Sequence, residues 1–128
     1  MPMRKPAAIS EAESEVMQVI WNRGPSTTED VVAALEHHGK WQEATVKTFL
    51  NRLLKKRALG AHKDGRRYVY TAALTREDWM SAESHGFLDR MFGGRVAPLV
   101  SYFSQQKKLG KKDIEDLKRL IRELDDGR

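Results

Sequence analysis

The residue pattern calls for a mainly α-helical protein with one small β-hairpin. Apolar residues recur at helical spacing in three segments ahead of Ala58. An Asp-Gly pair then separates two short runs that read as strands. From Leu74 onward the helical spacing returns and persists to Leu124.

Ser10 followed by Glu13 has the form of a capping box, in which two side chains satisfy each other's backbone donors at a helix start. Ala12, Val16, Val19 and Ile20 then recur as a stripe, widened by Met17 and Trp21. Glu11, Glu13 and Glu15 read as an exposed first turn favoured by the helix dipole, not as an acid/base pair. Gly24-Pro25 stops this helix. Thr27 caps a second, whose Val31, Val32 and Leu35 face inward and which Gly39 ends. A third runs from about Gln42 to Arg57, with Val46, Phe49, Leu50 and Leu53 as its buried stripe. Ala61-His62-Lys63, a turn at Asp64-Gly65, and Arg66 to Thr71 then form the hairpin. Three helices closed by a hairpin is the order of a winged helix-turn-helix.

The tail opens at Thr75, with Asp78 as its capping partner, and Gly93-Gly94 interrupts it. Val96 to Phe103 forms a short apolar helix in which Pro98 is tolerated because it lies in the first turn. Gln105 to Lys112 is a polar, Lys-rich connector ahead of the last helix. We expect a head over residues 1–73 and a helical dimerisation domain over residues 74–128. The expected interface comprises Trp79, Phe87, Leu88, Met91 and Phe92, then Leu99 and Phe103. Ile114, Leu117, Leu120, Ile121 and Leu124, on one face of the last helix, complete it.

The absence of cysteine excludes disulfides, thiolate nucleophiles and metal sites built on cysteine. His37 and His38 are helix neighbours pointing about 100° apart, a poor metal pair. His62 and His85 stand apart from them. No nucleophile elbow or phosphate-loop pattern frames the Ser, His, Asp or Gly residues, so neither an enzyme nor a cofactor is expected. Met1 to Ala8 lacks the apolar core of a signal peptide, and no run approaches the ~20 apolar residues of a membrane span. A cytoplasmic protein is the expectation.

Charge is segregated along the chain, whose net charge is +5. Between Lys40 and Arg67, nine cationic residues face only Glu43 and Asp64. Between Ser10 and Gly39, Arg23 stands alone against six carboxylates. A polyanion would therefore meet the middle of the sequence. On the third helix, Ala44, Thr48, Asn51 and Lys55 lie opposite the apolar stripe, flanked by Thr45, Lys47 and Arg52. Hydroxyls, methyls, an amide and cations are the groups that read bases in a DNA major groove. Thr45, Lys47, Thr48 and Asn51 are thus the candidates for base contact. Arg52, Lys55 and Lys56 suit phosphates. Lys63, Arg66 and Arg67 of the hairpin, together with Thr27, complete the expected DNA-contacting set, although Arg67 could equally pack on Tyr70. A basic helix face can also be merely solvated, but a basic helix followed by a basic wing is the more specific combination. A protein-docking winged helix is the alternative, and it would place apolar or aromatic anchors on this outer face.

Ser10-Glu11-Ala12-Glu13 with Val16-Met17 and Ile20-Trp21, then Gly24-Pro25, Thr27 and Val31-Val32, resembles the opening of the BlaI/MecI penicillinase-repressor family. Thr45-Val46-Lys47-Thr48 with Asn51-Arg52-Leu53 looks like that family's recognition helix. Lys55-Lys56, Tyr68-Val69-Tyr70, Phe87-Leu88 and Phe92-Gly93-Gly94 extend the match, which runs from about Ile9 to Leu124. The resemblance implies a homodimeric repressor on a short inverted repeat of the TACA…TGTA kind, upstream of its own gene or a resistance gene. It also implies intertwined C-terminal helices. The cysteine-rich metal motif of the copper-responsive branch is missing, which excludes metal sensing of that kind. In the penicillinase branch a sensor-linked protease cuts an Asn-Phe bond; Tyr102-Phe103 stands at the matching place, a departure that fits either a protease preferring aromatic residues or a pair that is simply interface core.

Overall fold

The computed structural model describes residues 8–35 and 41–127. Their order is α1 (Glu11–Arg23), α2 (Thr28–Leu35), α3 (Glu43–Lys55), β1 (Leu59–Asp64), β2 (Arg67–Ala72), α4 (Arg76–Phe92), α5 (Val96–Gln105) and α6 (Lys111–Asp126). The chain forms two compact units, one up to Glu83 and one from Ser84 on, with α4 beginning in the first and ending in the second. The expected end of α2 at Gly39, and His37 and His38, lie outside the described residues.

In the first unit the starts of α1 and α2 are secured as the sequence implies. The Glu13 N–H donates to Ser10 Oγ at 3.0 Å, and the Ser10 N–H donates to Glu13 Oε1 at 2.9 Å. Thr27 and Asp30 repeat this reciprocal arrangement at α2, at 3.1 and 3.0 Å. The helices close over Val16, Met17, Ile20, Val31, Val46, Leu50 and Leu53, all at most 2% exposed. Gln42 precedes α3 as its N-cap rather than joining it. At the other end Arg57 takes a left-handed φ of 64° where glycine is the usual residue. The Ala58 N–H donates to the Leu53 carbonyl and the Arg57 N–H to the Leu54 carbonyl, which satisfies the last carbonyls and turns the chain into β1.

The hairpin departs from expectation at its turn. The register pairs Asp64 with Arg67, so the two-residue loop is Gly65-Arg66 and Asp64 belongs to the strand. Gly65 carries a φ of 68° and Arg66 a negative one, the pattern of a type II′ turn with glycine first. Ser26, buried between α1 and α2, adds a one-residue third strand. Its N–H donates to the Tyr70 carbonyl at 3.0 Å and its carbonyl accepts from the Tyr70 N–H at 2.7 Å, which fixes the hairpin to the helices. Tyr70 is buried, whereas Arg67, an odd number of residues away along the strand, is exposed and lies on the opposite face.

Two further expectations are corrected. Glu13 is only 2% exposed, not part of a solvated first turn. Lys56 does not await a phosphate; its Nζ lies 2.6 Å from Glu13 Oε1. The pair joins the start of α1 to the end of α3. Burial pushes the Glu13 carboxyl upward. The Lys56 ammonium and the Ser10 donors outweigh that, so the net displacement is downward from 4.5.

In the second unit none of the described residues is buried. Gly93 and Gly94 both take positive φ, 60° and 79°, which ends α4 and redirects the chain into α5. Phe87, Phe92, Tyr102 and Phe103 form a run of tilted or edge-on ring contacts with centroids 5.4 to 6.1 Å apart. The polar connector is shorter than expected, because α6 already begins at Lys111. Arg119 bonds Asp116 at 3.0 Å on the polar side of α6, while Ile114, Leu120, Ile121 and Leu124 remain 41 to 76% exposed. Among the described residues, no helix is long and apolar enough to cross a membrane.

The Glu13–Lys56 pair yields a test. Lys56→Met strands a buried carboxylate and should lower unfolding free energy by about 2–3 kcal/mol at neutral pH, less than for a fully buried pair because Lys56 is partly exposed. Because the folded Glu13 pKa is depressed, the stabilisation is complete above the ordinary glutamate value and drains away as pH falls through the depressed one. Urea unfolding of both proteins from neutral pH to about pH 3 should show the deficit shrinking. A deficit independent of pH would mean that the ion pair is not its source.

Candidate nucleic-acid interface

Helical geometry decides which way α3 looks. Val46, Leu50 and Leu53, at i, i+4 and i+7, are completely buried, and Phe49 is held edge-on by Trp41 with centroids 5.1 Å apart. The opposite face must then point outward. Ala44, Lys47, Thr48, Asn51, Arg52 and Lys55 are all exposed, and Thr45 is half-buried at the margin. The Thr48 hydroxyl donates to the Ala44 carbonyl at 3.1 Å, which uses its proton and leaves the oxygen as an acceptor beside the methyl group. Lys47 Nζ lies 3.3 Å from Glu43 Oε2, one turn earlier on the helix.

The cap of α3 leads directly into the wing, so the next cations after Arg57 are those of the hairpin. Arg66 sits in the two-residue loop, with Lys63 and Arg67 close by on the strands. All three are exposed. Lys63 Nζ stands 5.6 Å from the ring centroid of Tyr68, its cross-strand neighbour, a cation–π distance that steadies the ammonium without removing its charge.

The structure brings the α3 residues onto one face and collects the three wing cations at one turn. It does not do the same for Thr27 or Trp79. Thr27 is 8% exposed, and its hydroxyl accepts the Asp30 N–H, so its side chain offers little to a ligand. Trp79 packs against Trp21 with the rings tilted and their centroids 5.3 Å apart, and the Trp21 indole N–H donates to the Leu74 carbonyl at 2.9 Å. Trp79 therefore packs within the first unit. The sequence reading missed Arg23, whose guanidinium lies 3.4 Å from Asp30 Oδ1. The Thr27 N–H does most to hold the Asp30 carboxyl below the usual aspartate range, aided by the Thr27 hydroxyl and the charges of Arg23 and Arg67. The bridge between Ser26 and Tyr70 places the wing near the start of α2, information that no periodicity carries.

Comparison with known proteins fits this geometry. A family model described as penicillinase repressor matches residues 9–123. The chain belongs to the penicillinase repressor family. It is 37% identical to the penicillinase repressor of Bacillus licheniformis over 121 residues, 94% of each chain. Among solved structures it is similar to the DNA-binding domain of the repressor BlaI, with 43% identity and a TM-score of 0.53, covering 59% of this chain and 93% of that one. It is also similar, at 43% identity and a TM-score of 0.52, to the monomeric form of B. licheniformis BlaI in complex with the blaP half-operator. That match covers 59% of this chain and 93% of that one. Penicillinase repressors are regulators of transcription, and this chain is not an enzyme.

Proposed function

We propose that this protein represses transcription by binding, as a homodimer in the cytoplasm, to an inverted-repeat operator in front of a resistance gene such as one for a β-lactamase. The observation that carries this reading is the outward face of α3, where Thr48, Asn51 and Lys55 stand exposed between Lys47 and Arg52 and the basic wing follows at once. A major groove admits one helix, and these are groups that read base edges and neutralise phosphates. A face built to dock a protein would carry apolar or aromatic anchors, and the exposed residues named here include none. Within α3, Thr45, Lys47, Thr48 and Asn51 take the bases, Arg52 and Lys55 the backbone. Lys63, Arg66 and Arg67 hold adjacent phosphates. Thr27 is left out of this surface.

Dimerisation is supported by the second unit, whose helices bury no described residue. Phe87, Met91, Ile114, Leu120, Ile121 and Leu124 are each at least 40% exposed, as expected of a surface that a second chain covers. Leu88, Phe92, Leu99, Phe103 and Leu117, half-buried in the single chain, border them. Relief of repression by a sensor-linked protease would act at Tyr102-Phe103, where Tyr102 is 48% exposed near the end of α5.

Three measurements test this reading. In fluorescence anisotropy against the duplex upstream of the protein's own gene, Thr48→Ala should reduce discrimination between cognate and scrambled sequence by about 1–3 kcal/mol. Lys55→Ala should weaken both alike and reduce the salt slope by about one. Identical, sequence-independent effects of the two changes would contradict the groove assignment. Truncation after Lys108, which removes α6, should give a monomer in sedimentation and much weaker operator binding; a truncated protein that stays dimeric would refute the assigned interface. Intact-mass measurement from induced cells should show cleavage between Tyr102 and Phe103, and an uncut chain during expression of the target gene would exclude it.

A further inference from the structure

Nine cations face only two carboxylates between Lys40 and Arg67, and one of those carboxylates, Glu43, lies in the first turn of α3. That is the end of a recognition helix that reaches base edges. An acidic group there opposes approach to a polyanion. Glu43 is not isolated, however. Its Oε2 lies 3.3 Å from Lys47 Nζ, with both side chains more than half exposed. A solvated pair at this spacing adds little to helix stability, so its consequence lies in what the two groups do to a ligand.

We propose that Glu43 is a specificity-determining residue that acts with Lys47 as one unit, rejecting generic phosphate backbone and favouring a G·C base pair. The inference rests on the DNA-binding reading of α3. A free lysine at this place would pair with whatever phosphate came near, strengthening binding to every sequence equally. With Glu43 alongside, Lys47 already has an anion, and a phosphate that displaces the carboxylate leaves it unpaired beside other phosphates. The exchange gains little. A G·C pair in the major groove satisfies both groups at once. Guanine O6 and N7 accept from the lysine, and the neighbouring cytosine N4 amine donates to the carboxylate. An A·T pair offers the carboxylate its N6 donor but sets only a single acceptor on either side, adenine N7 or thymine O4, so the lysine makes one contact there where guanine gives it two. The ion pair therefore converts a cation that would bind any duplex into a two-part contact that a particular base pair completes.

The test is selection from a random duplex pool by the full-length protein, followed by sequencing of the bound fraction, for wild type, Glu43→Gln, Lys47→Ala and the double variant. Salt titration against the unselected pool accompanies it. Wild type should show a G·C preference at one base pair in each half-site, flattened to the same degree in each single variant and no further in the double. Glu43→Gln should bind the unselected pool more tightly than wild type. It should also lose about 3- to 4-fold more affinity between about 0.05 and 0.2 M salt, because Lys47 is released to make one further phosphate contact. Lys47→Ala should abolish that gain. Unchanged base preference in Glu43→Gln, or an equal gain in the Lys47→Ala background, would overturn the proposal and reduce Glu43 to a long-range charge. A wild-type protein that selects no sequence at all would overturn the DNA-binding reading itself, a result distinct from either.

Discussion

The placement of Val46, Leu50 and Leu53 sets what the rest of the first unit can do. Their complete burial spends one face of α3 on the core, and with 3.6 residues per turn the residues between them have one direction left. Thr48, Asn51 and Lys55 are presented because their neighbours are held. The ends of the helix are tied as firmly. Trp41 leans on Phe49 near the start, and the Arg57 turn passes the chain into β1 at the finish. Ser26 then anchors the hairpin by bonding both backbone groups of Tyr70. A reading surface assembled on such supports can stay polar and charged because none of it has to stabilise the core.

Electrostatics divides along the same line. The acidic N-terminal stretch directs part of its charge inward and onto the helix starts. Glu13 closes the α1 cap and holds Lys56; Asp30 closes the α2 cap and holds Arg23. Each carboxylate thus both caps a helix and neutralises a cation. The cations left over are those of the α3 outer face and the wing, where association with a polyanion would use them. The charge segregation visible along the sequence is therefore a segregation by task as well: the N-terminal carboxylates cap helices and hold Lys56 and Arg23, while the cationic excess lies on the α3 outer face, where Glu43 pairs with Lys47 alone, and on the wing.

The sequence made legible whatever depends on local period and local caps. The capping pairs Ser10–Glu13, Thr27–Asp30 and Thr75–Asp78 form within three residues, so their chemistry is complete in a short string. The α3 face was legible for the same reason. What stayed hidden depends on contacts far apart in the chain. Lys56 reads as a phosphate ligand on any helical wheel, since the wheel omits Glu13, its partner 43 residues away. Trp79 reads as tail, since nothing nearby announces Trp21. The hairpin turn lies between these cases. Asp64-Gly65 marks it correctly, but pairing from Leu59–Ala72 to Asp64–Arg67 places the loop one residue later, and Gly65 is the residue that can supply the positive φ there.

The second unit obeys a different rule, because its helices have amphipathic sequence without an interior. The polar side of α6 is organised within the chain, with Arg119 bonding Asp116 and Lys112 reaching the same carboxylate at 3.8 Å. Its apolar side is not covered by the single chain, and exposure rises from Ile114 at 41% to Leu124 at 76%. Helices this short gain most of their stability from tertiary packing rather than from intrinsic propensity. The ring contacts from Phe87 to Phe103 supply part of that packing, yet they leave even Tyr102 half exposed. Covering these surfaces with a second copy would make the folding of this unit and the pairing of two heads a single equilibrium. Whatever disturbs α5 or α6 would then weaken binding to a two-part operator without touching a residue that meets DNA.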